Sequence, residues 1–179
     1  MCARFAAMAF RVQVGACGSA HKDGEGRAVP ACAGQPLGGA LGIGRWHRRI
    51  CGPGAKARWF SCHEEWATAE YELDFRVGGR EINRVGPRGG PVHSFDGRYL
   101  DIVPDQRIVF AYDMHLDDTR ISVSLARVEL EPARAGTRLI FTEQAAFLDG
   151  YNDLAEREEG RRAGLDNLDA ELKREPARA

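Results

Sequence analysis

From Ala69 onward the chain alternates between apolar and polar positions. Tyr71, Leu73, Phe75 and Val77 fall between Glu70, Glu72, Asp74 and Arg76, the period-two pattern of a half-buried strand that stops at Gly78-Gly79. A weaker strand over 81–85 ends at Gly86-Pro87, and Gly89-Gly90-Pro91 extends the turn. A third strand covers 95–103, with Phe95, Gly97 and Tyr99 on one face, and Pro104-Asp105-Gln106 turns the chain. Ile108, Phe110, Tyr112 and Met114 line a fourth. Ile121, Val123 and Leu125 line a fifth; Val128 and Leu130 continue it in the opposite parity, which predicts a bulge near Ala126. Thr137, Leu139 and Phe141 share a face of the sixth, and Glu143 comes next on that face. Six strands at short spacing predict an antiparallel meander.

The period then changes. Asn152 or Asp153 is placed to cap a helix, with Glu156 in its first turn. Leu154, Leu165, Leu168 and Leu172 recur at helical spacing, and Pro176 bounds the end. Gly160 and Gly164 weaken the middle and leave room for close approach to a sheet. Residues 53–60 read as one short helix ending in Trp59 and Phe60. The fold class is therefore α+β, an antiparallel sheet whose apolar face is covered by one long helix.

The first 54 residues follow another pattern. Their only strand-like alternation is Phe10-Arg11-Val12-Gln13-Val14. Residues 1–55 carry 11 of the 21 glycines, four of the five cysteines (Cys2, Cys17, Cys32, Cys51) and a charge balance of +5. The remainder balances at −6, so the overall −1 describes neither part. Residues 1–54 thus read as an atypical Gly/Ala/Cys-rich, poorly ordered segment before a domain spanning 55–179. His21, His47 and the cysteines lack zinc-ligand spacing, and five cysteines set up no disulfide framework. Arg4 followed by Phe5-Ala6-Ala7-Met8-Ala9-Phe10 starts like a signal peptide, but Arg11 and Gln13 interrupt its apolar run, so cytoplasmic residence is expected. Near-neutral charge argues against nucleic acid, and no run reaches the ~20 apolar residues of a membrane span.

Four segments carry a resemblance: Ala57-Arg58-Trp59-Phe60, Leu73-Asp74-Phe75-Arg76-Val77-Gly78-Gly79-Arg80, Phe95 to Pro104, and Gly136-Thr137-Arg138-Leu139. They resemble the signatures of the heat-shock-protein-90 ATPase activator homologue-like (AHSA-type) family of the SRPBCC superfamily, which includes polyketide cyclases and START-like lipid carriers. Phe147-Leu148-Asp149-Gly150-Tyr151 resembles bacterial members. The resemblance implies a START-like, Bet v-like helix-grip fold, a curved antiparallel sheet wrapped around the C-terminal helix with an apolar cavity between them.

Strand parity then gives the cavity lining: Phe75, Phe95, Tyr99, Phe110, Tyr112, Met114, Leu139 and Phe141, with Leu165 and Leu168 from the helix. Trp59, Phe60 and Trp66 are expected near its mouth. Such walls suit a small hydrophobic molecule. Glu143 is the best catalytic candidate, because burial raises a carboxyl pKa and equips it for acid–base work. No cofactor and no metal are implied, and Cys62-His63-Glu64-Glu65 is too local for a metal site. Three functions follow in order: ligand binding without required catalysis, a cyclase- or hydrolase-like enzyme, and association with an Hsp90-type chaperone. Nothing in residues 1–55 resembles a chaperone-contacting domain; a homodimer is the other partner expectation.

Family members usually read Asp-Pro-Glu-Ala-Lys-Ala-Arg-Trp-Phe where this chain has Gly52-Pro53-Gly54-Ala55-Lys56-Ala57-Arg58-Trp59-Phe60. Codons for Asp-Pro-Glu-Ala, preceded by a G and with one G lost, can be read as Gly-Pro-Gly-Ala. A frameshift just before Ala55 accounts for the composition break and for the missing start of the family pattern. Resequencing the gene across codons 50–58 tests this: a lost base is expected, and an intact base count overturns it.

Overall fold

The computed structural model describes residues 7–14, 51–60, 66–133 and 136–173. Cys2, Cys17, Cys32, His21, His47 and the Cys62-His63-Glu64-Glu65 segment lie outside the described residues. In chain order the elements are β1 (Ala7–Val14), α1 (Pro53–Trp59), β2 (Ala67–Leu73), β3 (Arg80–Gly86), β4 (His93–Val103), β5 (Arg107–Leu116), β6 (Thr119–Ala133), β7 (Gly136–Phe147) and α2 (Leu154–Lys173).

Strands β2 to β7 form the expected meander, each paired antiparallel with the next. The sheet nevertheless has seven strands, in the order β1-β7-β6-β5-β4-β3-β2. The alternation seen at 10–14 belongs to β1, which pairs antiparallel along β7 and places Phe10 opposite Glu143. This strand covers backbone groups of β7 that an edge would otherwise leave unpaired. Asp153 caps α2 by accepting the Glu156 backbone N–H at 2.9 Å. Leu165, Leu168 and Leu172 of α2 then bury against Phe95, Tyr99, Phe110, Leu139 and Phe141 of the sheet.

Three expectations are corrected. The first strand of the meander ends at Leu73 rather than Val77, and Val77 is exposed at a turn. The cause is the Gly78-Gly79 corner, where Gly78 adopts a φ of 80° and its N–H reaches the Tyr99 carbonyl at 2.8 Å. Phe75, beyond the strand, still turns back onto Tyr99.

The parity change near Ala126 does not occur. Ser122, Ser124 and Ala126 face inward without interruption, followed by Val128 and Leu130, while Val123 and Leu125 face solvent. The irregularities lie at Thr68/Glu70, Tyr99/Asp101 and Met114/His115, the last leaving Ile121 as the extra residue of β6. Two serines held the inward positions, so apolarity alone pointed to the wrong face.

Gly164 is also not a close-approach position, since a Cβ built there meets nothing within 4 Å. Gly79 is the opposite case, with its Cβ position 2.0 Å from the Asp74 carbonyl oxygen. Gly79→Ala should therefore cost about 1–3 kcal/mol through backbone overlap. Gly164→Ala should gain up to about 1 kcal/mol from helix propensity. Denaturant midpoints check both, and two substitutions of equal effect would contradict this account.

Candidate functional site

Between the inner face of the sheet and α2 lies a cavity of about 360 Å3. Trp59 and Phe60 border it from α1, and Trp66, its ring tilted against His93 at 4.7 Å, borders it before β2. All three are half-buried. Phe75, Phe95, Tyr99, Phe110 and Met114 supply the wall from the first half of the sheet, Leu139 and Phe141 from β7, and Leu165 and Leu168 from α2. The rings meet edge to face, as Phe60 does Phe95 at 5.1 Å, or stacked, as Phe95 does Tyr112 at 4.7 Å. Tyr112 and Glu143 do not border the open space; they lie behind it, in a polar cluster.

That cluster centres on Glu143, which is 0% exposed. Tyr112 donates its hydroxyl hydrogen to Glu143 Oε1, and Ser124 Oγ donates to the same oxygen at 2.9 Å. Arg161 Nη2 donates to Glu143 Oε2 at 3.1 Å and to the Tyr112 hydroxyl at 2.7 Å. Arg157 Nη1 donates to Glu143 Oε1 at 3.3 Å, and its Nη2 donates to Ser122 Oγ at 2.5 Å. The Arg161 guanidinium also lies 4.5 Å from the Phe141 ring centre. Both arginines border the cavity, in front of the carboxylate.

The electrostatics reverse the expectation for Glu143. Burial alone pushes its carboxyl up, but Arg161, the Tyr112 hydroxyl, Arg157 and Ser124 together outweigh it and hold the group below its ordinary 4.5. Glu143 is an anion at neutral pH, not a poised acid. Burial raises the Tyr112 phenol, which Arg161 opposes in part.

A second buried cluster pins α1. Lys56 Nζ donates to Glu81 Oε2 at 2.5 Å and to the Tyr99 hydroxyl at 2.8 Å. The Tyr99 hydroxyl donates to Glu81 Oε2 at 2.7 Å, and Tyr71 reaches Glu81 Oε1 at 3.3 Å. The Phe60 ring centre lies 4.8 Å from Nζ. Burial, followed by the Glu81 charge, raises the Tyr99 and Tyr71 phenols well above their ordinary value. Burial also pushes the Cys51 thiol up to about 12, with Lys56 pulling it down and Glu81 adding to the rise. Cys51 thus stays protonated and serves as a core residue, not a nucleophile. Among the described residues, no three His, Cys, Asp or Glu side chains stand close enough to hold a metal ion.

Sequence reasoning missed Lys56, Glu81, Ser122, Ser124, Arg157 and Arg161. One signal was present: Arg157 and Arg161 continue the leucine stripe of α2 at spacings of three and four. The direction of Glu81 is given only by the register, in which Asn83 stands opposite Phe95 and Glu81 opposite Gly97.

Two outcomes follow. Lys56→Met, leaving Glu81 buried and uncompensated, should destabilise by roughly 3–5 kcal/mol, and adding Glu81→Leu should recover most of the loss. Equilibrium unfolding measures both, and a double variant no better than the single would refute the pairing. For Glu143, a folded-state pKa below the unfolded value means stability present above 4.5 and lost as pH falls through the folded pKa. Glu143→Gln should therefore be the less stable form at neutral pH, with its deficit shrinking as the medium is acidified below 4.5. A deficit independent of pH would contradict the ionised state.

Comparison with known proteins agrees with this architecture. The family described as "Activator of Hsp90 ATPase homolog 1-like protein" matches residues 50–173. An uncharacterised protein of Rhizobium leguminosarum shares 40% identity and a TM-score of 0.74, covering 97% of this chain and 100% of its own. A protein of Rhizobium loti shares 34% identity and a TM-score of 0.68, covering 93% of this chain and 96% of its own. The AHSA1 protein of Silicibacter pomeroyi has the same fold, with 20% identity, a TM-score of 0.63 and coverage of 92% and 97%. No curated protein sequence matches. With most of its length matched to the family and its strands and helices in the helix-grip order, the chain belongs to the AHSA1-like family of the SRPBCC superfamily.

Proposed function

We propose that this domain binds a small, largely apolar molecule in the cavity between the sheet and α2. The observation that carries the reading is the cavity itself: about 360 Å3, walled by aromatic and aliphatic side chains, with cationic groups at separate points of its lining. Binding sites for small ligands combine these features, a mostly apolar volume and a few placed polar groups that fix orientation. At roughly 30 Å3 per water-sized group, the space suits a ligand of about a dozen non-hydrogen atoms.

The enzyme reading ranks lower, because its acid–base candidate is ionised and lies behind the wall rather than in it. Chaperone association rests on the family's description alone and ranks third.

Gly164 offers a direct test, since it borders the cavity and has open space at its Cβ position. Mass spectrometry of the purified protein under native conditions should reveal a bound small molecule, and a lipophilic fluorescent probe should bind saturably. Gly164→Phe, which fills the cavity, should abolish probe binding while unfolding stays cooperative. Undiminished binding in that variant, or no saturable binding in the parent, would exclude the cavity as the site.

A further inference from the structure

The two buried clusters differ in charge. At the α1 end, one lysine faces one carboxylate, Lys56 against Glu81. At the other end, two guanidiniums, Arg157 and Arg161, face one carboxylate, Glu143. Among the described residues of that cluster, the ionised groups therefore sum to one positive charge. The arginines are mostly buried, at 10% and 16% side-chain exposure, so solvent screens this charge only weakly.

Their order in space matters as much as their number. Arg157 and Arg161 border the cavity and Glu143 stands behind them, so a ligand meets the cations first. Each arginine is also fixed in place: Arg157 by Ser122 Oγ and Tyr112, Arg161 by Tyr112 and the Phe141 ring. A guanidinium held in position, with a fork of donors, matches a carboxylate better than any neutral head group. Glu156 and Glu159 also border the cavity, but both are exposed, and Glu156 accepts the Tyr151 hydroxyl at 2.5 Å. From Arg157 the helix runs past Gly164 to Leu165 and Leu168, a distance of about 16 Å at ~1.5 Å per residue. Phe110 and Leu139 of the sheet border the same space, so an apolar chain lies along this path once its head is at the arginines.

Building on the cavity reading above, we infer that the ligand is an amphipathic monocarboxylic acid, its carboxylate held by Arg157 and Arg161 and its apolar tail directed along Leu165 and Leu168. The two guanidiniums are shared between two carboxylates, one of the protein and one of the ligand, and the cluster becomes charge-balanced when the acid is bound. The excess of cations at this end selects acids over alcohols or amides of the same length.

Decanoate and the matching primary alcohol, decanol, separate this inference from the reading on which it rests. Displacement of the lipophilic probe gives both affinities at neutral pH. The parent protein should bind the acid about tenfold tighter than the alcohol, the scale of a hydrogen bond to a charged group. Arg161→Gln should remove most of that preference, read as the ratio of acid to alcohol affinity within the variant. Glu143→Gln, which removes the competing carboxylate, should widen the preference, and decanoate should raise the melting temperature of this variant more than that of the parent. Equal affinities for acid and alcohol in the parent protein would overturn the inference and leave the cavity reading standing. Displacement by neither compound, with the probe still binding saturably, would likewise overturn the inference alone. The comparison within the parent protein decides even if a variant does not fold.

Discussion

An ionised carboxylate without water must be neutralised where it stands, and Glu143 at 0% exposure imposes this requirement on the centre of the sheet. Its neighbours on β5 and β6, Tyr112 and Ser124, bring hydrogen bonds but no charge. The charge comes from Arg157 and Arg161 of α2. The long helix is thus held to the sheet by a buried ionic cluster near its N-terminal half and by Leu165, Leu168 and Leu172 further along. Removing either side of such a cluster leaves an uncompensated buried charge, so the position and rotation of α2 follow from it. The short helix obeys the same rule, since Lys56 docks α1 against Glu81 and Tyr99. Arg58 and Glu171 also join α1 to α2, but the arginine of that pair is half exposed, and a screened pair of this kind contributes little.

This mode of docking has a consequence for the interior. A helix held only by hydrophobic burial settles until its apolar side chains interdigitate with those opposite. Here one buried ion cluster docks α2 at Arg157 and Arg161, and another docks α1 at Lys56. Gly164, one turn beyond Arg161 in α2, borders the cavity with open space at its Cβ position, where a larger residue would reach into the cavity. Polar anchoring and apolar volume are two results of one arrangement.

The legible and illegible parts of the sequence divide along the same line. Phe95, Tyr99, Phe110, Leu139 and Phe141 could be placed because in them apolarity and inward parity coincide. Order of elements and the turn at Pro104-Asp105-Gln106 were equally readable, since Asp105 takes the positive φ that this tight connection needs. The polar clusters broke the coincidence. On β6, Ser122 and Ser124 point inward while Val123 and Leu125 point out, so a reading by apolarity assigns the wrong face and then needs a bulge to recover. On α2, Arg157 and Arg161 share the leucine stripe yet look like solvent-facing residues. Glu81 sits in a short strand whose Ile82 and Val85 are also buried, so only its register against β4 reveals its direction. Burial of a charge depends on a partner distant in the chain, 25 residues away for Lys56 and Glu81, and no local period encodes that. The volume of the cavity was likewise not readable, because it depends on how closely the helices settle.

The polar cluster at the α2 end of the cavity carries fixed charge rather than a movable proton. A general acid must hold its proton near neutral pH and reach the substrate. Glu143 is held in its ionised form and stands behind the arginines. The arginines themselves do not give up a proton in a protein, so their action is confined to orienting and neutralising. Lys56 Nζ is engaged with Glu81 and Tyr99, and burial keeps the Tyr99 phenol protonated far above neutral pH. Burial thus keeps the Tyr99 and Tyr112 phenols protonated, while Arg161 and Arg157 keep Glu143 ionised against the effect of its burial. On the binding reading proposed above, the fixed charges of Arg157 and Arg161 would discriminate among ligands by charge, and Glu143, ionised and behind them, has no proton to give as an acid.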